Sequence, residues 1–124
     1  MICALVCIAG CKGSTAPLLP SPVGNYLLTT VDSKPVPAQQ AAGDSILRGG
    51  AVIYSNGAYA FNWLVPSYYF GTRAEIAARD TGTWTGSAGQ LSFTSTSGAS
   101  WTANFTAPSL TVQLTNDTWT FVKP

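Results

Sequence analysis

The chain has 124 residues, of which 46% are hydrophobic and 9% are charged, and its formal net charge at pH 7 is +1. Average domains carry roughly 25% charged residues, so this composition suits half-buried strands better than salt-bridged helices. The six Lys and Arg residues are scattered, which argues against a nucleic-acid partner, and the absence of histidine excludes a Ser-His-Asp triad and any histidine-ligated metal site.

The first eleven residues, MICALVCIAGC, form an apolar run with the character of an export signal. The run is far too short to cross a bilayer, which needs about 20 residues. Its last four residues, Ile8 to Cys11, resemble the lipobox of bacterial lipoproteins, whose cysteine becomes the lipid-modified first residue of the mature protein. The resemblance implies a signal peptide over residues 1–11, a lipid on Cys11 and a membrane anchor in the bacterial cell envelope, outside the cytoplasm. The alternative is a buried apolar first strand.

Residues 12–22 read KGSTAPLLPSP, where three prolines together with Gly, Ser and Thr prevent regular structure. We interpret this stretch as a tether between the anchor and a domain over residues 23–124. The other cysteines, Cys3 and Cys7, would leave with the signal peptide. The mature chain would then hold no disulfide, and its stability must come from packing.

From Val23 onward, polar and apolar residues alternate with the period of two that is typical of strands with one buried face. The alternation is clearest near the C-terminus, where Leu110 and Val112 flank Thr111. Short turns separate the runs, which favours sequential antiparallel hairpins. The eight predicted strands lie near residues 23–31, 46–54, 58–65, 76–86, 90–96, 99–106, 109–115 and 118–123.

Two segments fit this pattern less well. Thr72 to Glu75 has the spacing of a helix capping box, but a strand that starts near Ile76 continues into the following residues without an extra loop, so we favour a strand. The long connection from Asp32 to Ser45 has room for one helical turn at residues 38–42.

An antiparallel meander of eight strands can close into an up-and-down barrel, which removes both exposed sheet edges. Gly24-Asn25-Tyr26 opens the first strand and Lys123 closes the last, and here the chain resembles the lipocalin-like group, in which an aromatic residue and a cation close one end of the barrel. The resemblance implies a small lipocalin-like barrel with Tyr26 and Lys123 as the closing pair. An open β-sandwich is the alternative all-β fold, because a period of two reports only that one face of each strand is buried.

The five acidic residues do not form a pair that faces across a cleft, as a glycosidase requires, and no acidic loop has the spacing of a calcium site. We therefore predict a protein that is not an enzyme and that carries no metal or cofactor.

Many aromatic residues fall on the inward side of the predicted strands. One interpretation is that they fill the barrel, since eight strands enclose room for side chains alone or for one small ligand. The other is that the small residues Gly82, Gly86 and Ala103 leave a cavity for an apolar or aromatic molecule. Its candidate ligand-binding residues are Trp63, Trp84, Trp101 and Phe105.

Residues 65–71, VPSYYFG, place three aromatics in a row, which cannot all point to one face of a strand. We predict either a loop that plugs the barrel end or a surface contact made by Tyr68 or Tyr69. The leading functional hypothesis is thus a lipid-anchored barrel that binds a small hydrophobic ligand. The alternative is a barrel with a filled core that acts as a protein-protein interaction or structural module of the envelope.

Overall fold

The computed structural model describes residues 21–41, 45–69, 72–87 and 89–124, all of which belong to strands, turns or irregular connections. The predicted signal peptide with Cys11, and nearly all of the predicted tether, lie outside these residues. No helix long and apolar enough to cross a membrane occurs in the described part of the chain. In chain order the strands are β1 (Gly24–Val31), β2 (Lys34–Pro35), β3 (Ala38–Gln39), β4 (Ser45–Ile46), β5 (Arg48–Ile53), β6 (Ala58–Tyr69), β7 (Thr72–Ser87), β8 (Gln90–Ser95), β9 (Ser100–Thr106), β10 (Ser109–Gln113) and β11 (Thr118–Val122).

Eight of these strands form a closed antiparallel barrel, in the order β1, β5, β6, β7, β8, β9, β10 and β11. Each strand pairs with the next one along the chain, and the last strand pairs back onto the first through Trp119 opposite Val31 and Phe121 opposite Leu28. The predicted up-and-down meander is therefore confirmed, and the open sandwich is wrong. Closure leaves neither β1 nor β11 as an exposed edge along the paired residues.

The barrel interior is the hydrophobic core, and the alternation of each strand supplies it. In β8, Leu91 and Phe93 are buried while Ser92 and Thr94 are exposed. Apolar surface removed from water contributes roughly 25 cal/mol per Å² to folding, so this one-sided pattern drives the sheet to close around its apolar face. The largest fully buried side chains are Tyr59, Phe93, Phe121, Ile46, Ile53, Leu91, Leu110, Val31 and Val112.

A β-bulge interrupts the alternation of β1. Leu28 and Val31 are both buried although they are three residues apart, because the register with β11 shifts between Thr120 and Phe121. Thr29 occupies the bulge, and its hydroxyl donates a hydrogen bond of 3.0 Å to the carbonyl oxygen of Thr120. Because of this extra residue, the side chain of Val31 points into the barrel at the end of β1.

The described residues of the connection between β1 and β5 lie at one end of the barrel. The Ala41 amide donates to Asp117 Oδ1 at 2.8 Å, while the Leu47 amide donates to the Leu64 carbonyl on another wall. Ala38 and Ile46 pair directly within the small β3–β4 sheet and are both buried. The predicted helical turn at residues 38–42 is wrong over 38–41, because burial of these two side chains is achieved by strand pairing instead.

The hairpin of β6 and β7 extends beyond the barrel wall. The two strands pair from Ala58 opposite Thr83 to Tyr69 opposite Thr72, whereas β5 accompanies β6 only up to Leu64. On the other side, β8 pairs with β7 only from Gly82 onward. Residues 65–69 and 72–76 thus form a two-stranded ribbon, which we call the projecting ribbon. The strand predicted near Ile76 is confirmed, and the predicted plug loop at residues 65–71 is wrong for 65–69, which continue β6.

Candidate ligand cavity inside the barrel

A cavity of about 340 Å³ lies at the end of the barrel from which the projecting ribbon extends. It lies beside the turn between β10 and β11, and the β1–β5 connection reaches it through Gln40. This volume is within the range of about 300–1,000 Å³ that is usual for small-molecule sites. The residues that line it are Gln40, Phe61, Trp63, Asp80, Trp101, Val112, Leu114, Thr115, Asn116, Asp117 and Trp119.

Three of the four tryptophans of the chain form part of this wall. Trp63 and Trp119 meet edge to face, with ring centroids 5.3 Å apart, and Trp101 lies on β9. The indole N–H groups of Trp101 and Trp119 are both buried. That of Trp101 interacts with the Tyr59 hydroxyl and lowers the pKa of Tyr59, although it makes no hydrogen bond of full geometry, whereas that of Trp119 has no hydrogen-bond acceptor among the described residues. Because an unpaired buried donor costs about 1–3 kcal/mol, the Trp119 indole would gain from an acceptor supplied to it.

A polar cluster is built into the same wall around Asp80. The Tyr59 hydroxyl donates to Asp80 Oδ2 at 2.6 Å, and the Ser95 hydroxyl donates to Asp80 Oδ1 at 2.5 Å. Strand register explains the cluster, since Tyr59, Gly82 and Ser95 lie directly opposite one another and Asp80 is two residues from Gly82 on the same face. Burial, and then the hydrogen bond to Asp80, raise the pKa of Tyr59 well above its usual value, so this phenol stays a donor.

A second carboxyl, Asp117, lies at the cavity beside the turn of β10 and β11. It is 7% exposed and interacts with Asp32, whose own carboxylate accepts the Thr118 amide at 2.8 Å. Burial raises the pKa of Asp117, and the hydrogen bond with Asp117 lowers the pKa of Asp32. Of the two carboxyls, Asp117 is therefore the one that takes up a proton first as the pH falls.

The candidate ligand-binding residues proposed from the sequence separate into two groups. Trp63 and Trp101 line the cavity. Trp84 does not, because its indole N–H donates at 2.8 Å to the Tyr54 carbonyl at the turn between β5 and β6. Phe105 also lies elsewhere, packed edge to face against Tyr26 with ring centroids 6.5 Å apart.

Tyr26 and Lys123 come together at the opposite end of the barrel. The Lys123 ammonium lies 5.6 Å from the Tyr26 ring centroid and 5.5 Å from that of Phe105, and it donates to the Ser21 carbonyl at 2.8 Å. The Tyr26 hydroxyl donates to the Pro22 carbonyl, and burial raises the pKa of Tyr26 to about 12. A cation over two aromatic rings stabilises this end, and residues 21 and 22 are held against it.

The small residues have a different role from the one expected. A Cβ on Gly82 would clash with the Thr94 carbonyl oxygen and lie 2.9 Å from Ser95 Cα, and one on Gly86 would clash with the Gln90 carbonyl oxygen. Neither glycine lines the cavity, and neither does the buried Ala103. The two glycines thus allow β7 and β8 to approach closely, and the cavity owes its space to the barrel end instead.

Tyr68 and Tyr69 form part of the backbone of the projecting ribbon, but their side chains lie outside the described part of the chain. Sequence reasoning did not identify Asp80 or Asp117 as cavity residues. Asp80 could have been found, because it shares the inward parity of Gly82 and Trp84 in β7, and a carboxyl at an inward position of a barrel needs partners. No signal in the sequence brings Asp117 to Asp32, because they are 85 residues apart and meet only when the barrel closes.

No group of three or more Cys, Asp and Glu side chains that could hold a metal ion is found among the described residues. Comparison with protein-family models, with curated proteins and with solved structures finds no match to this chain. The function is therefore inferred from the cavity itself.

Proposed function

We propose that this protein is a non-enzymatic binding protein that holds a small, largely apolar or aromatic ligand in the cavity at the ribbon end of its barrel. One observation supports this most strongly: three tryptophans converge on a cavity of about 340 Å³, and one of them, Trp119, has a buried indole N–H group without an acceptor among the described residues. Large aromatic walls with a few polar groups are typical of small-molecule sites.

We further propose that the barrel is exported and anchored to a membrane of the bacterial cell envelope through a lipid on Cys11. The lipobox-like sequence Ile8-Ala9-Gly10-Cys11 supports this location. With several acyl chains on one residue the attachment would be stable. Residues 12–20 would then hold the barrel up to about 30 Å from the membrane, at roughly 3.1–3.5 Å per extended residue, because residues 21 and 22 are held against the barrel.

Native mass spectrometry of the full-length protein, released from the membrane of its host, tests both parts. We expect the denatured mass to be that of the chain from Cys11 plus acyl groups, and the native mass to exceed it by a ligand. Trp101→Ala should weaken ligand retention, whereas Trp84→Ala, which removes a tryptophan outside the cavity, should not. An unmodified chain that keeps Met1 would overturn the anchor, and a native mass equal to the denatured mass would overturn the ligand.

The projecting ribbon favours a second candidate function, that of an interaction module of the envelope. Outside β6 and β7 themselves, residues 65–69 and 72–76 have no partner strand in the described part of the chain. The ribbon also exposes 51% of Ile76. Free strand edges next to an exposed apolar side chain are suited to contact with a partner protein.

A further inference from the structure

The charges on the cavity wall are all of one sign. Asp80 and Asp117 are the only ionisable acids or bases among the described residues that line it, and no Lys or Arg does. The described residues contain one ion pair, Arg48 with Glu75 at 3.3 Å, and it lies on the outer surface. The Asp80 carboxylate thus has no cationic side chain as its partner in the described part of the chain.

Asp80 also has hydrogen-bonding capacity to spare. A carboxylate offers about four acceptor positions, and in Asp80 the hydroxyls of Tyr59 and Ser95 take one each. Both donors are themselves buried, so they hold the carboxylate in one orientation at the cavity wall. A ligand with N–H groups would find a fixed acceptor there, and a charged donor would make the hydrogen bond roughly twice as strong as a neutral one.

The aromatic residues of the wall add a second attraction for positive charge. Phe61, Trp63, Trp101 and Trp119 surround the same space as Asp80. Indole is the best of the natural side chains for attracting a cation, and a desolvated contact is worth about 2 kcal/mol. An aromatic enclosure beside a carboxylate is suited to an ammonium group.

The unpaired indole N–H of Trp119 limits which groups the rest of the ligand can carry. The Trp119 indole N–H would donate a hydrogen bond to an oxygen of the ligand, but a negatively charged oxygen would lie in the same cavity as Asp80 and Asp117. Like charges at such close range disfavour one another strongly. A neutral hydroxyl, ether or carbonyl oxygen accepts from the Trp119 indole without that repulsion.

We propose that the ligand of this cavity is a small organic cation, in which an ammonium group on an apolar or aromatic body pairs with Asp80 and is enclosed by Trp63, Trp101 and Trp119. This rests on the proposed function, because it specifies the ligand class of the same site. It goes further by assigning Asp80 as the residue that determines specificity for charge.

Three probes of nearly equal shape test the charge of the ligand by isothermal titration calorimetry at pH 7: phenethylammonium, 2-phenylethanol and phenylacetate. We expect the cation to bind about tenfold more tightly than the alcohol, since the charged hydrogen bond to Asp80 adds to a cation–π contact of about 0.5–2 kcal/mol. Phenylacetate should bind most weakly. Equal binding of the cation and the alcohol would overturn the cation proposal and leave the ligand-binding function standing, as would tighter binding of phenylacetate. No binding of any probe at millimolar concentration would count against both.

A pair of variants on one strand then tests the role of Asp80. Asp80→Asn keeps an acceptor for Tyr59 but removes the charge, and Glu75→Gln removes the same charge from the exposed face of β7. We expect the preference for the cation over the alcohol to disappear in Asp80→Asn and to persist in Glu75→Gln. A preference that survives in Asp80→Asn would overturn the assignment of this residue. Thermal unfolding of each variant shows whether it is folded, and the comparison of the three probes on the unmodified protein decides the ligand class without any variant.

Discussion

At the scale of single residues, the pKa values of the Asp32 and Asp117 carboxyls are shifted in opposite directions. Asp117 has a raised pKa, chiefly through burial, so the fold favours its protonated form. The stabilisation that protonated Asp117 gives to the folded state is present below the ordinary pKa of a carboxyl. It is lost as the pH rises through the pKa that Asp117 has in the folded protein. Asp32 has a lowered pKa, so its contribution is present at higher pH and is lost as the pH falls through the folded value.

Substitution by asparagine should therefore shift stability in opposite directions at the two positions. We expect Asp117→Asn to raise the free energy of unfolding at pH 7, because the amide still accepts from Ala41 and avoids ionisation of a buried acid. The gain should vanish towards pH 3. Asp32→Asn should lower stability at pH 7, and asparagine tolerates the φ of 52° at this turn. Urea unfolding from pH 3 to pH 8 measures both, and a loss of stability at both positions at pH 7 would contradict the opposite pKa shifts of the two carboxyls.

Single residues also show what the sequence alone could predict. The period of two correctly placed Tyr59, Phe93 and Phe121 in the core, because burial of one face dictates the pattern. Gly82 was expected to create space, but it is glycine because β8 approaches it closely. A missing side chain looks the same in a sequence whether its site is empty or filled by a neighbouring backbone, so this distinction requires the register.

At the scale of elements, strand order was predictable and strand length was not. Short turns made sequential hairpins the natural arrangement, and the structure has that order throughout the barrel. The bulge at Thr29 and the extension of β6 through Tyr69 were not foreseen. The bulge depends on pairing with β11, and the three consecutive aromatics at residues 68–70 indicated a loop or a surface contact. Pro66 is tolerated within β6, because the β5 side of the strand has no partner beyond Leu64.

The projecting ribbon should be separable from the barrel. Val65 lies opposite Ile76, four residues along the ladder from the Tyr69–Thr72 pair. Because the hydrogen-bonding pattern repeats every two residues, the Val65–Ile76 pair can flank a two-residue turn as the Tyr69–Thr72 pair does. Replacement of residues 66–75 by Asn-Gly, which forms a two-residue hairpin turn, should keep the register and change the free energy of unfolding by no more than about 1 kcal/mol. The main loss is the exposed Arg48–Glu75 pair.

Chemical denaturation followed by circular dichroism measures this change, and Arg48→Ala is the matched control for the lost ion pair. A shortened protein that no longer unfolds in one cooperative transition would show that the ribbon is needed for the barrel. The same variant separates the two candidate functions, since it should lose contact with a protein partner of the ribbon while it keeps the ligand of the cavity.

At the scale of the whole molecule, closure is what creates the candidate site. The cavity wall combines Trp63 and Asp80 with Trp119, which comes from the last strand of the chain. The pattern of alternation identified Trp63 as inward but gave no information on which end of the barrel it faces. Trp84 has the same parity but lies outside the cavity. Whether an inward side chain reaches the cavity depends on its position along the barrel axis, and the strand register sets that position.

Closure also makes opposite walls of the barrel support each other, and this can be measured. Phe61 of β6 and Phe121 of β11 stack across the interior with ring centroids 5.5 Å apart and an interplanar angle of 19°. We expect a double-mutant cycle of Phe61→Leu and Phe121→Leu to give a coupling energy of about 0.5–1.5 kcal/mol, the usual value for an aromatic pair.

Leu27 lies opposite Val122 on the same closing seam but is 57% exposed. The control cycle of Phe61→Leu with Leu27→Ala should be additive to within about 0.5 kcal/mol. Urea unfolding followed by tryptophan fluorescence supplies all the values. A coupling of zero between the two phenylalanines would mean that the walls contribute to stability independently, as they would in a sheet whose first and last strands do not meet.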